Sequence, residues 1–456
     1  MVDVFRRIFS IPELRAKIFF TLAMLALCRV GAYITVPGIN EDVALTLFKY
    51  ATGGAQNLFQ LVDIFSGGAF AQMAIFALGV MPYITASIIL QVLMMVVPFW
   101  QREIRESPDQ GRRKLSKWTR IATLIIAFMQ SGLYAKYALQ INDSNPGIIL
   151  PQLLTFTLFG FPWFYFFVYT FTMTAGTLLL MWIGEQISER GVGNGISLII
   201  AVGILSSLPT TIGTVIKQLN LTSQDAGQLS FISLIVLSCL FVLIIIGTIL
   251  IIQGQRRIPL QYARRIVGRH EVQGGTSHIP LKINYAGVIP VIFAASALMI
   301  PATLAQFIGR NTWFGQLSNY LSPGSWVYLT IYVMLILFFT YVWTATQFKP
   351  DQIASDMKKN GAFIPGIRQG KPTQDYLEQT MSRITLAGAV FLALIAVMPT
   401  LVGRLMGVDA RISQFFGGTS LLILVGVILD TSKQIESHLL MKRYDGFMKK
   451  GGLRGR

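Results

Sequence analysis

The apolar residues of this chain come in blocks of about 20, the length a helix needs to cross the roughly 30 Å hydrocarbon core of a bilayer. Blocks of that kind fall near residues 18–36, 72–97, 118–139, 160–184, 195–216, 231–252, 286–308, 326–347, 382–403 and 412–431. Each predicts a transmembrane helix, because lipid offers the backbone no hydrogen bonds and a helix supplies all of its own. The charge content agrees. Only 13% of the 456 residues are charged and 53% are hydrophobic, whereas a soluble domain carries about a quarter charged residues. The fold class expected is an all-α integral membrane protein of ten transmembrane helices. Cys28 and Cys239 both lie inside apolar blocks and read as small core residues, with no disulfide framework or metal-ligand spacing.

Orientation follows from the basic residues of the loops. With the N-terminus inside, 31 of the 38 Lys and Arg fall on the inner side. The outer side holds Lys49, Lys136, Lys217, Arg310, Arg404 and Arg411, and Arg29 lies within the first span. Both termini are then cytoplasmic. Residues 1–17 read as an amphipathic segment on the inner membrane surface, with Arg6, Arg7, Arg15 and Lys17 among apolar residues, and not as a cleaved signal. Ten spans divide into halves of five, 18–217 and 218–431, followed by a basic tail at 432–456. Five is odd, so the second half enters the membrane from the opposite side, the geometry of inverted repeats around a midplane site. A Gly-rich turn at Ser188–Gly195 separates the fourth span from the fifth.

Three inner stretches are long and basic: 98–118, 253–283 and 347–381. Attraction to anionic lipid accounts for some of this, at about 1 kcal/mol per basic residue near the surface. The second carries Arg256, Arg257, Arg264, Arg265 and Arg269, and the third Lys358, Lys359, Arg368 and Lys371, each among Pro, Gly and aromatic residues. That mixture predicts an ordered loop that docks phosphate-rich RNA or an acidic protein. On the outer side, residues 57–70 (NLFQLVDIFSGGAF) are apolar but too short to span. Such a segment is an interfacial helix or re-enters the bundle. Arg29 is the charge set furthest into a span. It costs roughly 2.5–3.5 kcal/mol at a helix centre unless paired, so a contact with a neighbouring loop or carbonyl is expected.

The acidic residues all fall in loops or at span ends, Glu185 and Asp430 coming closest to an interior position. A proton- or sodium-coupled carrier of small solutes, the alternative function weighed here, keeps an ionisable group along its path. A scaffold or insertase without a through-pore is a third class. Gly366–Pro372 (GIRQGKP) fails as a phosphate loop in spacing and in its missing Ser/Thr, and Gly191–Gly195 (GVGNG) fails as a dinucleotide fingerprint. His270, His278 and His438 form no metal or triad pattern. The expected reading is a passive conduit with no cofactor.

Phe65–Gly68 (FSGG) followed by Ile75–Ile84 (IFALGVMPYI) resembles the plug and second helix of the SecY/Sec61α family. Gly111–Lys114 (GRRK), Trp182–Gln186 (WIGEQ), Glu189–Ser197 (ERGVGNGIS), Ala286–Pro290 (AGVIP), Gly361–Arg368 (GAFIPGIR) and Phe416–Ile423 (FGGTSLLI) resemble further blocks of that family, in order, in its bacterial form. The resemblance implies two five-helix halves clamped around an hourglass pore, which passes polypeptides across the membrane or releases apolar segments sideways into lipid. It places an aliphatic pore ring on Val80, Ile84, Ile196, Ile200, Ile292 and Ile423, residues that by themselves read as helix packing. The plug falls on Asn57, Leu58, Phe59, Leu61, Val62, Asp63, Ile64, Phe65, Ser66, Gly67 and Gly68. A lateral gate between the second and seventh helices falls on Thr85, Ser87 and Ile300, beside Ile292, with Gln130 adding to a polar patch. Functional cytoplasmic arginines fall on Arg269 and Arg368, although His270 stands where the family often has a second arginine. Implied partners are SecE and SecG subunits, the SecA ATPase, the translating ribosome with its RNA, the signal-recognition pathway, secretory polypeptides and anionic lipids. The implied location is the bacterial cytoplasmic membrane.

Overall fold

The computed structural model describes residues 11–41, 43, 58–97, 100, 108–144, 146–155, 157, 162–218, 231–262, 265–267, 270–272, 275–308, 320–321, 325–408, 412–413 and 419–451. Helix α1 (Pro12–Gly31) covers most of the first predicted span, and its first turn accepts Pro12, whose missing N–H has no helical partner there. The apolar 57–70 stretch holds a short helix, α2 (Leu58–Ser66). The second predicted span starts later than hydropathy places it. Residues 67–80 are mostly turns, with positive φ at Gly67, Gly68, Met73 and Gly79, and α3 (Met81–Val96) begins with Pro82 in its first turn.

Helix α4 (Pro108–Ser144) runs 37 residues, about 55 Å at 1.5 Å per residue. It therefore extends the third span well into the first basic stretch. A four-residue turn, α5 (Pro151–Leu154), precedes α6 (Trp163–Arg190). The Gly-rich turn lies where it was expected, and Asn194 caps α7 (Gly195–Ser206) by accepting from Ser197 N at 3.4 Å. Gly195 lets α7 touch α6, since a Cβ there would overlap the Gly184 carbonyl. The fifth span then bends at Ser207 into α8 (Leu208–Gln218), which carries Pro209 in its first turn.

Helix α9 (Phe231–Gln253) is apolar on every side. Leu237, Ile244 and Ile251 are buried, while Val242, Leu243, Ile246 and Leu250 are exposed, as a lipid-facing helix requires. The 253–283 stretch is ordered as a β-ribbon, which an all-α expectation did not anticipate. Strand β1 (Gln255–Tyr262) leads through the short pair β2 (Arg265–Val267) and β3 (His270–Val272) to β4 (Thr276–Lys282). β1 and β4 pair antiparallel with Ile258 opposite Ile279. The alternation in Arg257–Gln261 (RIPLQ), with Ile258 and Leu260 buried, is the period-two signal of a half-buried strand.

The second half continues with α10 (Ile289–Ile308), α11 (Trp326–Gln347), α12 (Pro350–Lys359), β5 (Ala362–Phe363), α13 (Lys371–Leu405) and α14 (Thr419–Gly451). β5 pairs with the free edge of β1, so the two basic loops share one small sheet. A compact core of Ile258, Leu260, Leu281, Met357, Leu377 and Met381 fastens this platform to the inner end of α13. Among the described residues, five helical stretches are long and apolar enough to cross a membrane: 163–190, 195–216, 232–253, 326–359 and 371–405.

Packing repeats between the halves. α1 packs on α6 and α7, α3 on α4, α4 on α6, and α6 on α7. In the same pattern α9 packs on α13 and α14, α10 on α11, α11 on α13, and α13 on α14. The repeat inferred from span order is thus present in the contacts, without a residue-level echo in the sequence. Among the described residues the halves meet along α3 against α10 and α7 against α14, with a lighter contact of α2 on α10.

Candidate pore and gate

The sequence-predicted ring residues come from four helices, two in each half. Val80 and Ile84 stand one turn apart at the start of α3, where Ile84 N donates to Val80 O at 3.1 Å. Ile196 and Ile200 lie on α7, Ile292 on α10 and Ile423 on α14. Five are buried, from 0% exposure at Ile423 to 5% at Ile292, and Ile196 is partly buried against the same core. Ile84, Ile196, Ile200 and Ile292 also line a cavity of about 380 Å³. Polar and charged side chains, Ser87, Gln91, Arg120, Glu185 and Asn194 among them, complete its wall. The cavity is thus lined by polar and charged side chains together with four of the branched aliphatic residues.

The plug segment packs on the other face of these helices. α2 rests on α7 and α10, with Val62 and Phe65 buried. Gly203 admits it to α7, for a Cβ there would stand 2.9 Å from the Phe65 carbonyl oxygen. The chain leaves α2 through a side-chain-bonded turn, in which Ala71 N donates to Asp63 Oδ1 at 2.8 Å and Phe70 N to Ser66 Oγ at 3.1 Å. Arg29 has the carbonyl contact its position demanded. Its Nη1 donates to Gly67 O at 2.6 Å, its Nη2 to Tyr33 Oη at 2.9 Å, and its guanidinium lies 4.8 Å from the Tyr33 ring centre. Ser206 Oγ, whose single proton is shared with Gly203 O at 2.7 Å, lies 3.2 Å from the same Gly67 carbonyl, so α1 holds the end of this segment and α7 touches it. Asn57 lies outside the described residues, as do the side chains of Leu58, Phe59 and Leu61.

At the α3–α10 seam the structure brings Thr85 and Gln130 together. They line a cavity of about 30 Å³ with Val62, Met81, Ser296 and Met299, room for about one water. Ser296 and Met299 were missed by the sequence reading. Ser296 sits one turn beyond Ile292, a helical spacing that puts both on one face. Ser87 does not join this patch. It turns to the large cavity, where its Oγ accepts from Gln91 Nε2 at 3.0 Å. The side chain of Ile300 lies outside the described residues.

On the platform of the small sheet Arg256 and Arg257 are exposed on β1 and Arg368 is exposed in the loop after β5. Gly366 and Gly370 give that loop its positive-φ bends, and Gln369 Nε2 ties it to Ala362 O at 3.2 Å. β5 pairs with the far end of β1, at Gln261 and Tyr262, so the two basic loops are joined in one sheet. Arg264, Arg269 and the side chain of Arg265 lie outside the described residues.

The SecY family model matches residues 74–432. The protein translocase subunit SecY of Chlamydia trachomatis serovar D is 60% identical over 452 residues, covering 99% of each chain. A solved SecY protein, whose plug domain stabilises the closed state of its translocation channel and maintains a membrane seal, aligns with a TM-score of 0.60. It is 18% identical and covers 92% of this chain and 91% of that one. Sec61 from the canine ribosome–channel complex of the endoplasmic reticulum aligns at 0.57 with 17% identity, over 92% of this chain and 91% of that one.

Proposed function

The chain belongs to the SecY family, and on that premise we propose that its buried aliphatic ring is the constriction through which polypeptide passes. It is a channel-forming, multi-pass membrane subunit of a protein translocase and not itself an enzyme. Unfolded chains cross through it, and apolar segments leave it sideways into lipid. The observation that supports the ring assignment is that Ile84, Ile196, Ile200 and Ile292, from three helices of the two halves, line one cavity with polar and charged side chains, while Val80 and Ile423 are buried in the same core. Residues 57–70 act as the plug, held by Arg29 and touched by Ser206 of α7, and the α3–α10 seam is the lateral gate. The halves are 18–217 and 218–431, oriented with both termini and the β-platform in the cytoplasm of a bacterium. Polypeptide arrested in transit should cross-link to a photoreactive residue placed at Ile84 or Ile292, and not to one at Leu243 on the lipid-facing side of α9. Cross-linking at Leu243 alone would remove the ring from the path.

The platform is the docking surface for the energy-supplying partners. It would present Arg256 and Arg257 on β1 and Arg368 in the loop after β5, all exposed, with Arg264, Arg265 and Arg269 proposed as further contacts of the same basic stretch. The translating ribosome and the SecA ATPase are the partners proposed, with SecE and SecG beside the helices, the signal-recognition pathway delivering substrate, and anionic lipid around the basic rim. Arg368→Glu should lower secretion by about tenfold or more, because a like charge facing a partner costs several kcal/mol. Membrane abundance should stay near normal, since the side chain is exposed. Quantitative blotting beside a secretion assay checks both. Degradation of the variant would make the arginine structural.

A further inference from the structure

We propose that the Arg120–Glu185 ion pair in the cavity wall governs how the channel handles charged stretches of its substrate. It keeps the wall hydrated while cancelling the charges that would otherwise hold a basic or acidic segment. This rests on the reading of the cavity as part of the polypeptide path. Arg120 lies on α4 and Glu185 on α6, and both line the cavity with Ile84, Ile196, Ile200 and Ile292. The contact is two-pronged: Nε donates to Oε1 at 2.9 Å, and Nη2 lies 2.9 Å from Oε2. Their side chains are 51% and 18% exposed, so the pair stands at the water boundary of the cavity and not within the packed interior.

Holding α4 to α6 does not require this pair. Elsewhere along the same helix contact, Ser131 Oγ and Thr174 Oγ1 share a buried hydrogen bond of 3.0 Å, and the exposed Phe128 and Phe171 rings meet edge to face at 5.7 Å. A half-exposed ion pair adds little stability to such an interface. What the pair does supply is polarity without net charge. The planar fork of Arg120 engages both carboxylate oxygens of Glu185, so each charge faces its partner and not the lumen. Beside them the wall is of neutral hydrogen-bonding groups, Ser87, Gln91, Ser116, Ser188 and Asn194. The other charged group lining the cavity is Glu189, exposed and one helical turn beyond Glu185.

Removing one partner frees the other. Arg120→Gln leaves Glu185 and Glu189 together on one face of α6, an attractive resting place for Lys and Arg in transit. Glu185→Gln leaves a guanidinium that Glu189 only partly offsets, so its effect on acidic segments should be the smaller one. The test uses the complete reconstituted translocase and three secretory reporters that differ only in a window of neutral, Lys-rich or Glu-rich residues. Each charged reporter's rate is divided by the neutral reporter's rate in the same variant, which removes general effects on activity. Arg120→Gln should lower the Lys-rich ratio about fivefold, the scale of one unit-charge contact in water, without lowering the Glu-rich ratio. Glu185→Gln should lower the Glu-rich ratio by less than that. The exchanged double variant, Arg120→Glu with Glu185→Arg, restores the pair and should return both ratios to those of the unaltered chain. Unchanged ratios in both single variants would overturn the proposal, as would a shift of both charged reporters in the same direction or failure of the exchanged variant to restore them. Failure of the unaltered chain to move the neutral reporter would instead strike at the channel reading itself.

Discussion

Oxidising a cysteine pair made by Thr85→Cys and Ser296→Cys should stop polypeptide transport, and reduction should restore it. Thr85 on α3 and Ser296 on α10 line the same water-sized cavity at the seam between the halves. A disulfide needs Cα atoms within about 7 Å, so its formation reports directly that the helices meet at this level. Cys28 and Cys239 should first be changed to Ser, since Cys239 is exposed and able to mispair. If substrate passes between halves that part along α3 and α10, a covalent tie there should abolish both secretion and the sideways release of apolar segments, leaving less than roughly a tenth of each. A bond worth tens of kcal/mol cannot be opened by the few kcal/mol that separate conformations of a bistable protein. A pair across the other seam, Leu198→Cys with Thr431→Cys, distinguishes a specific block from general stiffening. A Cβ placed on Gly193 would meet both of these side chains, and the Gly193 N–H donates to Gln434 Oε1 at 2.9 Å. Transport should survive that bridge. Normal secretion through a fully cross-linked 85–296 channel would end the lateral-gate assignment.

The spans were legible because lipid imposes a length and a polarity that few other environments do. Every predicted block holds a helix among the described residues, and the break at Ser188–Gly195 was marked by its glycines and Asn194. Hydropathy failed at residues 67–80 for a specific reason. Phe70–Val80 is as apolar as a membrane helix, and what unwinds it is local: positive φ at Gly67, Gly68 and Gly79, with Asp63 and Ser66 bonding the turn. The β-ribbon was hidden by its arginines, whose number drew attention from the alternation of Ile258 with Leu260 and of Ile279 with Leu281. Arg29 was readable from cost alone, because a charge at that depth demands a partner. Arg120 and Glu185 were not, since each sits at a span end where a charge needs no explanation. Family membership settles what composition left open between a polypeptide channel and a small-solute carrier. The ring residues lay beyond reach of periodicity, because Ile84 or Ile200 on a buried helix face looks the same whether it packs a core or lines a path. What favours a path is that Ile84, Ile196, Ile200 and Ile292 line one cavity.

That distinction has a direct electrical consequence. Ile84, Ile200 and Ile423 replaced together by Gly should raise ion current through resting channels in a planar bilayer, on the order of tenfold or more, because a wider and less apolar constriction stays wet. The same substitutions must also destabilise the fold. Each removes a buried aliphatic side chain, at about 2–5 kcal/mol, and adds a helical glycine at about 1 kcal/mol. Loss of stability alone therefore proves nothing. The informative comparison is a second triple variant, Leu180→Gly, Leu237→Gly and Leu392→Gly, which takes similar volume from buried positions on α6, α9 and α13 away from the ring. If the ring is ordinary packing, both triples should lower stability alike and neither should leak beyond the other. If it is the seal of a water-lined path, only the first should conduct, and milder Ile→Val changes at the same three sites should keep the current near that of the unaltered channel. If residues 57–70 form the proposed plug, they add a second barrier in series, held by Arg29 on the Gly67 carbonyl. Arg29→Ala combined with the ring triple should consequently leak more than the triple alone. Equal currents in the two would place the seal in the ring by itself.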